Sequence, residues 1–282
     1  MMTTSAAVLS ALRARLATAG LDLFKPFNTR WYDAAVAEHI RLPVACGAHD
    51  GSGFDWTDSQ GQELKDKEGS KEEGQLAVLI GNTRAIWSPF ISALAQSPHP
   101  IPANPINTYV TRAVREAVAS CVPSSLHPVL RFSYDLTPGR VLSFQRLAHE
   151  SGLAYLHPAC HLCVHPEYGP WISLRVVVVL DAPPLQGQHD KEAPMNPCSS
   201  AEETAMTEAK AVALAASERH DAEAWKLWLA MRDACTVGAQ HRYTEPQVAY
   251  HYTHDLGIIE SEMQRLRDDG QTEQVAGTSQ LL

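Results

Sequence analysis

Residues 171–181 read Trp-Ile-Ser-Leu-Arg-Val-Val-Val-Val-Leu-Asp. Consecutive β-branched residues favour extended backbone, and an apolar run without polar alternation predicts a strand buried on both faces at the centre of a covered sheet. Pro183 and Pro184 keep that strand from continuing. Arg175 interrupts it. A guanidinium in such a strand must be paired or point into a polar cavity, because leaving it buried and alone costs several kcal/mol. Two readings follow: a salt bridge to an internal carboxylate, or a position at the strand end facing a site. In the second, the planar fork suits a ligand carboxylate or phosphate. Arg232, on a later helix, raises the same question, although a helix arginine is usually only solvated.

Elements of both kinds surround this strand without strict alternation, which points to an α+β layered fold. Residues 76–80 form a short apolar run that reads as a buried strand, followed by Asn82 and Thr83 as candidate caps for a helix carrying Ile86, Phe90, Ile91 and Leu94. Helical spacing recurs over residues 107–121, and 129–134 reads as a strand closed by a turn at Pro138-Gly139. A helix over residues 140–151 would turn Val141, Phe144, Leu147 and Ala148 inward, with His149 near its end and Gly152 as the stop. Two helices follow a polar loop, over residues 201–217 and 221–235. Val8, Leu9, Leu12 and Leu16 share a helical face ending at Gly20. This first segment therefore reads as a core helix, or, from its arginines and hydroxyl residues without acids, as a transit peptide.

Composition excludes several function classes. The chain has 282 residues, 45% hydrophobic, with a net charge of −9. That charge gives no field to attract phosphate backbones, so nucleic acid is not an expected partner. No run approaches the roughly 18 uncharged apolar residues of a membrane span. Six scattered cysteines without a secretory signal argue against a disulfide framework and for a reducing, cytoplasmic location. Residues 50–75 are rich in Gly, Ser, Lys and Glu and read as a flexible insertion, and residues 269–282 as a disordered tail, leaving one domain over 1–268.

The densest group of soft ligands is the CxxC of Cys160 and Cys163, flanked by His157, His161 and His165. A zinc site would take two thiolates and two imidazoles from this loop, without a second CxxC to make the case firm. Thiol redox chemistry is an alternative, since neighbouring thiols resolve one another's oxidised forms. The third reading is two core thiols beside surface histidines. A zinc deaminase is excluded because its HxE and PCxxC lie further apart than His149 and Pro158 do. The sequence contains no P-loop, no GxGxxG after a strand, no GxSxG and no HExxH.

Residues 163–180 (CVHPEYGPWISLRVVVVL) resemble the signature of the CblC cobalamin-processing family, which runs Cys-Ile-His-Pro, an aromatic, Gly-Gly-Trp and then an apolar strand containing Arg. Residues 24–32 (FKPFNTRWY), 145–155 (QRLAHESGLAY), 231–234 (MRDA) and 242–250 (Arg-Tyr through Ala-Tyr) are similar to other family segments in the same order, spanning roughly residues 7–265. The resemblance implies a modified flavin-dependent nitroreductase-like fold with a central, mainly antiparallel sheet flanked by helices. It implies binding of base-off cobalamin, reductive decyanation with reduced FMN or FAD or a flavoprotein reductase, and transfer of alkyl groups to glutathione. It also implies handover to a downstream trafficking protein, and a monomer or a ligand-induced homodimer. A non-catalytic cobalamin chaperone and a zinc or thiol-redox protein are the alternatives.

By the same resemblance, Phe144, Gln145, His149, Tyr155, Cys160, Trp171 and Leu174 would lie around the corrin, and Arg175, Arg232 and Arg265 would hold glutathione. Metal ligands from the protein are not expected. The segment between Tyr155 and Cys163 is shorter than in animal relatives and carries the additional Cys160. Cys160 and Cys163 are therefore candidates for delivering a thiolate to cobalt or to the alkyl group.

Overall fold

The computed structural model describes residues 5–46, 73–185 and 193–279. The chain runs α1 (Ser5–Thr18), β1 (Leu23–Asn28), α2 (Thr29–Asp33), β2 (Leu76–Asn82), α3 (Trp87–Ala95), α4 (Pro105–Cys121) and β3 (Val129–Phe132). It continues through α5 (Phe144–Glu150), β4 (Tyr155–Leu156), β5 (Cys163–Val164), β6 (Ser173–Leu180), α6 (Ser200–Glu218), α7 (Ala224–Asp233), α8 (Glu245–Thr253) and α9 (Leu256–Ser279).

The main sheet has the order β1-β2-β6-β3, and every pairing in it is antiparallel. The valine run therefore lies in an interior strand, as its composition predicts. Both faces are covered. Leu76, Val78, Ile80, Val176, Val178 and Leu180 pack with residues of α1, α3 and α4, while Ala77, Leu79, Val177 and Val179 pack with Tyr32 and the inner face of α5. Each strand thus contributes alternate side chains to two separate cores. The stripe Val8, Leu9, Leu12 and Leu16 of α1 is buried in the first of them, so the core-helix reading of that segment holds.

One irregularity interrupts the pairing of β2 with β6. Ile80 pairs with Val176 but Gly81 pairs with Leu174, which leaves Arg175 as an extra residue in a β-bulge. The two backbones are close here: a Cβ on Gly81 would lie 2.5 Å from the Ser173 carbonyl oxygen. The bulge changes the phase of the strand. Leu174 joins the α5 side, and Arg175 has Tyr134 and Tyr250, which belong to the opposite side, as electrostatic neighbours.

The helix expected from residue 140 begins only at Phe144. Arg140 is drawn back instead, its Nε 2.6 Å from Asp135 Oδ2 and its N–H donating to the Thr137 carbonyl, and the Ser143 N–H donates to the Tyr32 hydroxyl. Val141 is consequently exposed rather than part of the core. The insertion expected at 50–75 lies outside the described residues up to residue 72. Its flanks meet at buried Gln75, whose side chain accepts from the Ala45 N–H and donates to the Ala45 carbonyl. Helix α9 continues past Asp268, where the sequence predicts an unstructured tail. Among the described residues no helix is long and apolar enough to cross a membrane.

Candidate functional site

Arg175 donates from Nε to Asn82 Oδ1 at 2.7 Å, and Asn82 is itself buried at the end of β2. Among the described residues no carboxylate pairs with this guanidinium. Burial lowers its pKa, opposed by Tyr243, Tyr134 and Tyr250. The first reading of Arg175, an internal salt bridge, is thereby displaced by the second, a cation at the strand end with unfilled donors.

Arg232 is in a similar state. It is 9% exposed, its Nη1 is buried without a hydrogen-bond partner, and no carboxylate neutralises it among the described residues. Aromatic rings surround it instead: its guanidinium carbon lies 5.7 Å from the ring centre of Trp171 and 5.9 Å from those of Tyr243 and Tyr252. Such contacts offset part of the desolvation cost of a cation but leave its N–H donors unused. His251 completes the wall, with ring contacts to Tyr243 at 6.0 Å and Tyr252 at 5.0 Å. Desolvation, with Arg232, Arg175 and His254 adding repulsion, pushes its pKa down to about 3, so its imidazole is neutral. The result is an aromatic box with one buried and one half-buried cation and, among the described residues, no carboxylate to neutralise them, an arrangement that suits an anion.

Trp171 is held in this box by a tight backbone contact. The turn at Tyr168-Gly169 presses on Val237-Gly238, just beyond α7, and a Cβ on Gly169 would lie 1.7 Å from the Val237 carbonyl oxygen. Both glycines have positive φ, +56° and +69°. The entry to β6 and the exit from α7 are thus fastened together, which fixes Trp171 relative to Arg232.

The other expected residues gather on the opposite side of the sheet. Phe144 is buried in the α5 core with Leu174 packed beside it, and Gln145 is exposed on the same helix. His149 Nδ1 accepts from the Leu156 N–H, and its ring stands edge-on to Tyr155 at 5.9 Å. Trp171, Ile172, Leu174 and Arg175 therefore form the seam between an aromatic-imidazole group on one side and a cationic box on the other.

The CxxC is divided between two cores. Cys163 lies in β5 within the α5 core and donates from Sγ to the Gln145 carbonyl, and burial pushes its pKa up to about 12. Cys160 packs among Met206, Met231 and Cys235 under α6 and α7. His157 accepts the Cys160 N–H at Nδ1, and its Nε2 is 3.4 Å from Glu203 Oε1. No group of three metal-ligating side chains converges among the described residues. A different pair of thiols is in contact, Cys198 and Cys235, whose sulfurs are 3.8 Å apart. This geometry suits packing thiols better than a nucleophile, because a thiol held at so high a pKa is protonated at neutral pH.

No family model matches the chain. It is 22% identical over 265 residues to a zebrafish (Danio rerio) protein named cyanocobalamin reductase / alkylcobalamin dealkylase, covering 87% of this chain and 88% of the relative. A protein of the same name from cattle (Bos taurus) is 28% identical over 253 residues, covering 83% and 74%. The crystal structure of a C. elegans B12-trafficking protein, CblC, superposes with a TM-score of 0.63 at 15% identity, over 90% of this chain and 95% of that one. The chain is thus similar to these proteins over most of its length and shares their fold.

In this chain the expected Arg175, Arg232 and Trp171 come together, whereas Arg265 does not join them. It is 64% exposed and held by carboxylates of its own helix, Glu262 at 3.2 Å and Asp269 at 3.3 Å. Sequence reasoning missed Asn82, Tyr243, Tyr252 and His251. Asn82 reads as a helix cap. The other three lie in a polar stretch around α8 whose periodicity is weak, and only their clustering near the recognised Arg-Tyr and Ala-Tyr pairs could have drawn attention to them.

Proposed function

We propose that this chain binds cobalamin and removes its upper-axial ligand, acting as a cyanocobalamin reductase and alkylcobalamin dealkylase. The observation that carries this reading is likeness along nearly the whole length to two curated relatives of that one name, on a fold shared with a B12-trafficking protein. In the finer reading, the fold is a modified flavin-dependent nitroreductase and the cobalamin is held base-off. His149, Tyr155, Phe144 and Leu174 face the corrin from the α5 side, and Trp171 closes the seam. The protein works in the cytoplasm.

Glutathione fits the cationic box on chemical grounds. It has two carboxylates, and neither the half-buried Arg175 nor the buried Arg232 has an acidic partner among the described residues. Fixing the tripeptide by these ends would orient its thiol toward the seam and replace an encounter in solution by an intramolecular approach. In dealkylation the sulfur forms a bond to the alkyl carbon while the cobalt–carbon electron pair stays on cobalt. For cyanide release, a reduced flavin supplies the electrons as a co-reactant. Cys160 and Cys163 serve as packing thiols in this reading.

Absorbance of the corrin tests the proposal. Adding the protein to cyanocobalamin should shift the spectrum to the base-off form, and glutathione added to the methylcobalamin complex should convert it to a dealkylated species. Spectra unchanged by the protein would overturn cobalamin binding. A base-off shift without any dealkylation would leave a chaperone.

A further inference from the structure

The cationic box is electrostatically incomplete. Arg232 and His251 lie against the same two rings, Tyr243 and Tyr252, and both Arg232 and Arg175 act electrostatically on the imidazole, with no neutralising acid beside it among the described residues. Tyr243 precedes α8, Tyr252 and His254 follow His251 in the chain, and none of the three is a carboxylate. The acids that act on the neighbouring Tyr252 and Tyr243 are engaged elsewhere: Asp233 pairs with Arg242 at 2.8 Å, and Asp22 accepts from the N–H and hydroxyl of Thr83 at 2.8 and 2.6 Å. The imidazole makes no hydrogen bond among the described residues.

We propose that His251 is the third, conditional cation of the anion site: neutral while Arg175 and Arg232 stand unpaired, and protonated when a ligand's carboxylates neutralise them. The inference rests on the reading of this box as the place where an anionic co-substrate binds, and it names how that binding is regulated. The reason is linkage. Two cations beside an imidazole oppose its protonation, and an anion placed on those cations removes that opposition and adds an attraction. Whatever binds the arginines must then strengthen proton binding at His251, and by reciprocity a proton on His251 must strengthen the anion's binding. The ligand class is a dicarboxylate or a peptide with two carboxylates, because two fixed guanidinium groups and one inducible imidazolium match two negative groups better than one. His251 thereby takes the position of a third cation, which Arg265 does not fill.

Calorimetric titration of the full chain with glutathione, and separately with succinate, between pH 7.5 and pH 5.5 tests this. Both carboxylates of glutathione stay ionised in that range, and succinate is read only above pH 6.5, where it is still largely a dianion. Affinity should rise as pH falls, by up to ~10-fold per pH unit if one proton is taken up. His251→Gln should lose the pH dependence, whatever its affinity at pH 7.5. Equal pH dependence in parent and variant, or affinity that is flat with pH in the parent, would overturn the proposal. If His251→Gln does not fold, imidazole NMR on the parent protein replaces it: saturating anion should raise the His251 titration midpoint by ~3 pH units, from about 3 to about 6. An unmoved midpoint, or an imidazole already charged at pH 6 without ligand, overturns the idea. Succinate showing the linked proton while glutathione fails to bind would sustain it and refute the glutathione reading. Failure of both anions to bind refutes both.

Discussion

The seam at residues 171–175 and the CxxC loop at residues 157–163 carry the two most unusual residue sets in the chain, and the fold treats them in opposite ways. In the loop, groups that read as ligands are turned apart. The four-residue spacing of the CxxC spans the end of one loop and the start of β5, so Cys160 enters the α6–α7 core and Cys163 the α5 core. At the seam, groups far apart in sequence are brought to one place: Arg175 from β6, Arg232 from α7, Tyr243 and His251 from around α8. Closeness in sequence misleads in the first region. In the second, the informative signal is a charge in an apolar run, whose burial obliges the fold to explain it.

Four experiments can break or sharpen this contrast. The largest effect should come from Gly169→Ala, which adds a Cβ at positive φ directly against the Val237 carbonyl oxygen. Chemical denaturation should show a loss of about 4 kcal/mol or failure to fold, with Trp171 and Arg232 displaced together. Next is Arg232→Met, which replaces an uncompensated buried cation by an apolar chain of similar length. Stability should rise by ~1 kcal/mol, while glutathione-dependent dealkylation should fall ~10–100-fold with loss of the charge-assisted bonds. A melting curve and a rate assay on the same preparation read both.

The third effect is the acid limb of stability. His251 has a folded pKa of about 3 against a usual value of 6.5. Between those limits the unfolded chain binds the extra proton, so stability falls as pH falls through this window, by at most about 1.4 kcal/mol per pH unit from this group. Denaturation of the parent and of His251→Gln at pH 7.5 and pH 5 should show the smaller loss in the variant. The smallest effect belongs to the loop. Cys160→Ala with Cys163→Ala should cost about 1 kcal/mol per site and leave dealkylation within about twofold. A large drop in rate would return the CxxC to chemistry and erase the contrast.

Much of the scaffold could be read before folding because its signals are local. The valine run and the apolar stripe of α1 each depend on neighbours a few residues away. Arg175 was legible as a problem, and the family resemblance supplied Trp171 and Arg232 as its companions. The rest needed three dimensions. Nothing in the spacing of β6 announces a bulge, and the absence of acids around Arg232 is a property of assembled surfaces. His251 occurs in a stretch, YHYTHD, whose mixed rings and hydroxyls fit a loop as well as a helix. Val141 failed as a core residue because a tertiary bond, Ser143 to Tyr32, set the start of α5 in preference to the apolar spacing.

The bulge at Arg175 divides β6 into two stretches with separate obligations. From Val176 onward each side chain is committed to one of two packed cores, and a change there is paid for in folding. Ser173 and Leu174, on the near side of the offset, are only half-buried and follow a different alternation. Changes among those few residues can retune which ligand is accepted while the barrier against unfolding stays where the valines set it.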